Sequence, residues 1–95
     1  MPKLKLKVEL ALHRYLTNEL VDEEFIREIQ AILNEFQGKN LLHQNIGQLI
    51  WNLEIKRPND KAKFEKIWLL LDRINPRIRE DLSHRLKSGP WRRAT

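Results

Sequence analysis

Apolar residues recur every three or four positions along most of this chain, which is the spacing of one face of an α-helix. The clearest stretch begins after Asp22 and stops just before Gly38. Its apolar stripe consists of Phe25, Ile29, Ile32, Leu33 and Phe36. We expect Asp22 to cap this helix at its start and Gly38 to end it in a left-handed conformation.

A third helix is predicted to begin at Asn40, which can cap it, and to end by about Lys56. The end is set by Pro58, because proline disfavours helical geometry in the residue before it. The apolar face comprises Leu42, Ile46, Leu49, Ile50 and Leu53. Within this helix Gly47 costs up to about 1 kcal/mol relative to alanine. A close helix crossing, within the chain or between two chains, would explain it.

The fourth helix is predicted to run to Ile74, with either Asn59 or Asp60 as its cap. It has the widest apolar face of the chain, so we place it at the centre of the core. That face comprises Phe64, Ile67, Trp68, Leu71 and Ile74, broadened by Leu69 and Leu70. Trp51, in the helix before it, lies towards the edge of its stripe, where either core packing or partial exposure is possible.

Asn75 followed by Pro76 is a helix start signal, with a cap and then proline in the first helical position. This fifth helix is predicted to continue to about Ser88, where Gly89 and Pro90 end it. Its narrow apolar stripe consists of Ile78, Leu82 and Leu86.

The first segment is ambiguous, because residues 3–12 alternate as a half-buried strand does, with an apolar side chain at every even position and a charged one at each odd position from 3 to 9. No second stretch alternates in this way, and a lone strand leaves its backbone groups unpaired. Leucine, lysine, glutamate and alanine also favour helix. We therefore predict a helix over about Leu4–Asn18, with Leu4, Val8, Ala11, Leu12 and Tyr15 on one face. A strand here would have to pair with another molecule.

Together these segments predict an all-α fold, a small compact bundle of about five helices. Two domains would each be too short to bury a core, so residues 1–95 are predicted to form one domain with 89–95 as a short basic tail. No apolar run is long enough to span a membrane, and no secretory leader is recognisable. We expect a cytoplasmic protein. In size, helicity and basic balance the chain is similar to small helical subunits of RNA-guided defence complexes, although it shares no motif with them.

The charge of +5 is unevenly distributed along the sequence. Residues 22–36 carry five acidic side chains and one basic, whereas residues 76–95 carry six basic and two acidic. The guanidinium group of arginine binds phosphate oxygens, and the indole ring of tryptophan can stack on an unpaired base. The predicted nucleic-acid-binding residues are Arg77, Arg79, Arg85, Lys87, Trp91, Arg92 and Arg93. Trp91 can instead fold back on the bundle, since nothing in its own segment buries it.

Signatures of catalysis are missing from the sequence. The three histidines, His13, His43 and His84, form no pair at helical spacing, there is no cysteine, and the glycines form no phosphate-binding loop. We therefore expect no enzyme activity, no cofactor and no metal. The predicted function is non-catalytic binding of nucleic-acid backbone, RNA or DNA, as an accessory subunit of a larger complex. The alternative is a protein-interaction module in which complementary acidic and basic helices bind an acidic protein surface or form a homo-oligomer.

Overall fold

The computed structural model describes residues 2–79, which form four α-helices in sequence and then begin another at residue 77. The helices are α1 (Pro2–Leu16), α2 (Asp22–Glu35), α3 (Leu42–Lys56) and α4 (Lys61–Ile74), and a 3-10 turn at Pro58–Asp60 joins α3 to α4. No strand occurs in this part of the chain. The prediction of a small all-α bundle is therefore confirmed. The predicted helix end at Ser88 and the tail 89–95 lie outside the described residues.

The alternating segment at the start of the chain is helical, as predicted, and not the strand that its alternation alone would indicate. The predicted inner face is buried, from Leu4 at 2% exposure to Leu12 at 0%. Two leucines of the alternating pattern, Leu6 and Leu10, point outward instead and are 66% and 59% exposed. α1 ends at Leu16, two residues earlier than predicted, because Asn18 adopts a left-handed φ of 68°.

The start of α2 differs from the prediction in the role of Asp22. The cap position is Val21, whose backbone N–H donates to Glu24 Oε1 at 3.0 Å, and Asp22 is the first helical residue. Its carboxylate is occupied by partners on α1 and α4 instead, which outweigh a local cap. At the other end Gly38 has φ +90°, as predicted.

The start of α3 also corrects the sequence interpretation. Leu41, and not Asn40, precedes the helix, with a left-handed φ of 59° and no side-chain cap. The predicted end at Lys56 is confirmed. Asp60 occupies the residue before α4, but its carboxylate accepts from Arg57 Nε at 2.7 Å and caps nothing.

A close approach to Gly47 positions the segment that follows α4. A Cβ atom at this position would lie 2.6 Å from the backbone oxygen of Ile78, closer than any side chain tolerates. The predicted close crossing is therefore within the chain. Ile78 is fully buried by it, as its place on the predicted stripe requires.

Two ion pairs show that α1 and α2 run antiparallel: Lys7 contacts Glu35, and Arg14 Nη1 lies 3.8 Å from Glu28 Oε1. α1 also packs on α3, and α2 packs on α4. Trp68 is in the core as predicted, 7% exposed, with its indole N–H donating to Glu54 Oε1 at 2.8 Å. Trp51 is half-buried against the core.

Candidate nucleic-acid interface

Of the seven residues predicted to bind nucleic acid, the described part of the chain contains Arg77 and Arg79. These two differ in their surroundings. Arg79 Nη1 lies 3.0 Å from Asp72 Oδ2, so its charge is neutralised by α4. Arg77 is exposed and forms no ion pair with any residue from 2 to 79. The remaining predicted residues, Arg85, Lys87, Trp91, Arg92 and Arg93, lie outside the described residues.

Arg77 lies beside a surface recess of about 510 Å³, which we call the amide recess. Its walls are the last turn of α2, the connection to α3, the first turn of α3 and the residues that follow α4. Besides Arg77, its polar lining consists of Asn34, Gln37, Lys39, Asn40, His43, Gln44 and Asn75. Within residues 2–79, two of these eight polar side chains are cationic and none is a carboxylate.

Asn75 fixes the position of Arg77, as the sequence predicted. Its Oδ1 accepts the backbone N–H of Arg77 at 3.0 Å, and this bond orients the amide so that Nδ2 faces His43 Nε2 at 2.9 Å. An amide nitrogen only donates, so Nε2 accepts and the proton of the neutral ring is on Nδ1. The cap thus ties the start of the fifth helix to α3.

Lys3 lies at the same end of the bundle. Because α1 and α2 are antiparallel, with Lys7 contacting Glu35, the start of α1 adjoins the end of α2. The first turn of α1 contains no acidic residue, although the positive end of the helix dipole favours one. Among residues 2–79 no ion-pair partner faces Lys3, Lys39 or Arg77. We call the surface that these three cations define the basic end.

The opposite end of the bundle, which we call the tyrosine end, holds a second recess of about 790 Å³ beside Tyr15, Asp22, Lys63 and Lys66. The hydroxyl of Tyr15 donates to Asp22 Oδ1 at 2.6 Å, and Lys66 Nζ lies 3.2 Å from Asp22 Oδ2. Lys63 Nζ donates to the backbone oxygen of Leu16 at 2.6 Å. The contacts of Tyr15, Lys63 and Lys66 thus join α1, α2 and α4, whereas Glu23 and Arg27, which also line this recess, form no ion pair among residues 2–79.

The electrostatics of the tyrosine end follow from these contacts. Burial, then the hydrogen bond to Asp22 and its negative charge, raise the pKa of Tyr15 to about 12. The same hydrogen bond, followed by that from Lys66, lowers the pKa of Asp22. The ring of Tyr15 also packs against Phe25, with centroids 4.8 Å apart. This arrangement is a structural link between helices.

Sequence reasoning missed Lys39 and the amide recess. Lys39 lies in an ordinary helix connection, and only the fold brings it near Arg77. The signal available in the sequence was the run of polar residues around Gly38, which also fits a solvated turn.

Metal binding and membrane insertion are two further properties to consider for the described part of the chain. No group of three or more histidine or carboxylate side chains there is arranged to hold a metal ion. None of the helices of residues 2–79 combines the length and apolar character needed to cross a bilayer.

Comparisons of the chain with models of known protein families, with curated proteins and with solved structures found no match. Within residues 2–79 the structure is a small all-α bundle with Lys3, Lys39 and Arg77 at one end.

Proposed function

We propose that this protein is a non-catalytic module that binds nucleic-acid backbone through its basic end, as a small accessory subunit of a larger complex. The observation that carries the proposal is that Lys39 and Arg77 line the amide recess together, with no carboxylate among the residues from 2 to 79 that form its lining. The predicted basic residues from Arg85 to Arg93 extend the same function.

Elementary electrostatics supports this proposal. Three cations on one end of a small bundle that have no ion-pair partner among residues 2–79 repel one another, so they raise the free energy of the free protein slightly. A phosphate backbone removes that repulsion and releases its own counterions on binding. Such contacts position the partner and carry no sequence information by themselves.

The test is a titration of the full chain with a labelled single-stranded and a labelled duplex oligonucleotide at two salt concentrations. The variant combines Lys39→Ala with Arg77→Ala. We expect its affinity for single strands at low salt to fall by roughly tenfold, and the slope of log affinity against log salt to fall by about 1.4, since each phosphate contact contributes about 0.7.

A matched control combines Lys56→Ala with Lys61→Ala, which removes the same charge where α3 leads into α4. Both lysines are exposed and have no ion-pair partner in residues 2–79. An equal loss in both variants would mean that net charge alone drives binding. No binding at low salt by the unmodified protein would refute the proposal.

A second candidate function is supported by Leu6 and Leu10, which form an exposed apolar pair one helical turn apart on α1. Exposed Lys3 and Lys5 lie beside them, so the surface is complementary to an acidic amphipathic helix. In this alternative the protein is an interaction module for an acidic protein partner.

The probe for this alternative is a labelled peptide with the sequence of residues 22–35, an acidic amphipathic helix. We expect it to bind the unmodified protein but not the variant with Leu6→Gln and Leu10→Gln. The control variant changes Ile55 and Leu69, which are 49% and 59% exposed elsewhere, to glutamine. Light scattering during gel filtration distinguishes peptide binding from self-association of the protein. A monomeric protein that does not bind the peptide contradicts the alternative.

A further inference from the structure

We infer that the amide recess accepts an unpaired nucleotide, so that the protein binds single-stranded nucleic acid in preference to duplex. This inference rests on the proposed function and specifies the class of nucleic acid that the basic end binds.

The shape of the recess favours an unpaired base. Its volume of about 510 Å³ falls in the range of about 300–1,000 Å³ that is usual for small-molecule sites. In a duplex the bases are stacked inside, and a protein reaches their edges by inserting a protruding helix or ribbon into a groove. A concave recess cannot enter a groove of the duplex, whereas a single strand can turn one unpaired base outward into a cavity.

The lining has the chemistry to hold a base. Asn34, Gln37 and Asn40 are exposed, and their side-chain amides make no hydrogen bond within residues 2–79. Each amide offers both a donor and an acceptor, as the Watson–Crick edge of a base does. The cavity therefore supplies hydrogen-bonding groups that no residue from 2 to 79 occupies, and a bound base would replace the water on them.

His43 supplies a planar surface in the same recess. The hydrogen bond from Asn75 Nδ2 to its Nε2 at 2.9 Å holds the ring in one orientation, and imidazole is one of the rings on which unpaired bases stack. Lys39 and Arg77 line the same cavity, where they can meet the phosphates that flank a bound base. Amides, a ring and two cations thus meet in one cavity.

An abasic oligonucleotide separates base binding from phosphate binding, because it keeps every phosphate and lacks every base. The full chain is titrated at low salt with three labelled probes: a single strand, an abasic strand of the same length, and a duplex of the same sequence. We expect the single strand to bind about tenfold more tightly than the abasic strand, within the range measured for stacking of one or two bases.

The informative variant combines Asn34→Ala with Gln37→Ala, which leaves all charges unchanged. We expect it to lose most of the preference for the intact single strand and to bind the abasic strand and the duplex as before. The matched control combines Gln30→Ala with Asn45→Ala, one glutamine and one asparagine that are exposed outside the recess. It should retain the full preference.

The outcomes separate the two proposals. Equal binding of intact and abasic strands overturns the inference but leaves the proposed function standing. A variant that keeps its preference for the intact strand also overturns the inference, because the amides then play no part. If none of the three probes binds at low salt, the proposed function fails and the inference fails with it.

Discussion

The two ends of the bundle use charged side chains in opposite ways. At the tyrosine end Asp22 accepts from Tyr15 and lies 3.2 Å from Lys66 Nζ, so its negative charge is shared between two partners. At the basic end Lys3, Lys39 and Arg77 face no carboxylate among residues 2–79. Paired charges contribute to holding helices together, whereas unpaired charges of one sign contribute nothing to the fold and remain available for a ligand.

The largest effect on stability is expected from Gly47→Ala, which disturbs the position of Arg77 at the basic end. The new Cβ would lie 2.6 Å from the backbone oxygen of Ile78, so the start of the fifth helix, with Arg77, has to shift. We expect a loss of roughly 1–3 kcal/mol in the free energy of unfolding, measured by urea denaturation.

Asn45→Ala is the control for that substitution, because Asn45 is an exposed residue of the same helix. Alanine favours helix more than asparagine does, so this control should be neutral or slightly stabilising. If Gly47→Ala were also neutral, the close crossing would not exist in solution.

Tyr15→Phe should cost about 1 kcal/mol in the free energy of unfolding, because it removes the hydrogen bond to Asp22 and keeps the packing against Phe25. Thermal or urea denaturation at neutral pH measures the loss. The same substitution should leave oligonucleotide affinity unchanged, since Tyr15 is at the opposite end from Arg77. A loss of binding without a loss of stability would contradict the division of roles between the two ends.

The pH dependence tests the same hydrogen bond, and the chain simplifies the measurement because Tyr15 is its only tyrosine. Its pKa is raised from 10.0 to about 12, so the unfolded chain releases this proton first. The resulting stability is fully present below about pH 10 and is lost as the pH rises towards 12. Tyrosinate absorbance should show a midpoint near pH 12, and Asp22→Asn should lower it. A midpoint near 10 in the folded protein would contradict the contact.

The smallest effect on stability is expected from the double change of Lys39 and Arg77 to alanine. Because neither side chain has a partner in the described part of the chain, the free energy of unfolding should change by less than about 0.5 kcal/mol. Lys66→Ala is the comparison at the tyrosine end, where loss of the pair with Asp22 should cost up to about 1 kcal/mol. A large loss in the double variant would mean that these cations stabilise the fold.

Most of the helix positions were predictable from the local sequence pattern. The end of α3 before Pro58, the capping role of Asn75 and the apolar stripes of α1 to α4 depend on residues close in sequence and are confirmed, except that Leu69, predicted to broaden the inner face of α4, is 59% exposed. The predicted cap at Asp22 was wrong because its carboxylate has distant partners, and the one at Asn40 was wrong because Leu41, with a left-handed φ of 59°, precedes α3. Asp22 binds Tyr15 and Lys66, which no local pattern indicates.

The candidate site was predictable only in part. Arg77 was predicted, but the sequence grouped it with Arg79, which the fold pairs with Asp72. Lys39 was not predicted, because its importance depends on a cavity formed by segments more than thirty residues apart.

The sequence by itself therefore determined that this chain is helical, where its core faces lie, and that it is basic, because periodicity and composition are local properties. Only the tertiary structure decided which charges form ion pairs within residues 2–79 and which do not, because ion pairs and cavities form between segments that are distant along the chain. The contacts of the charged side chains within residues 2–79 distinguish the tyrosine end from the basic end.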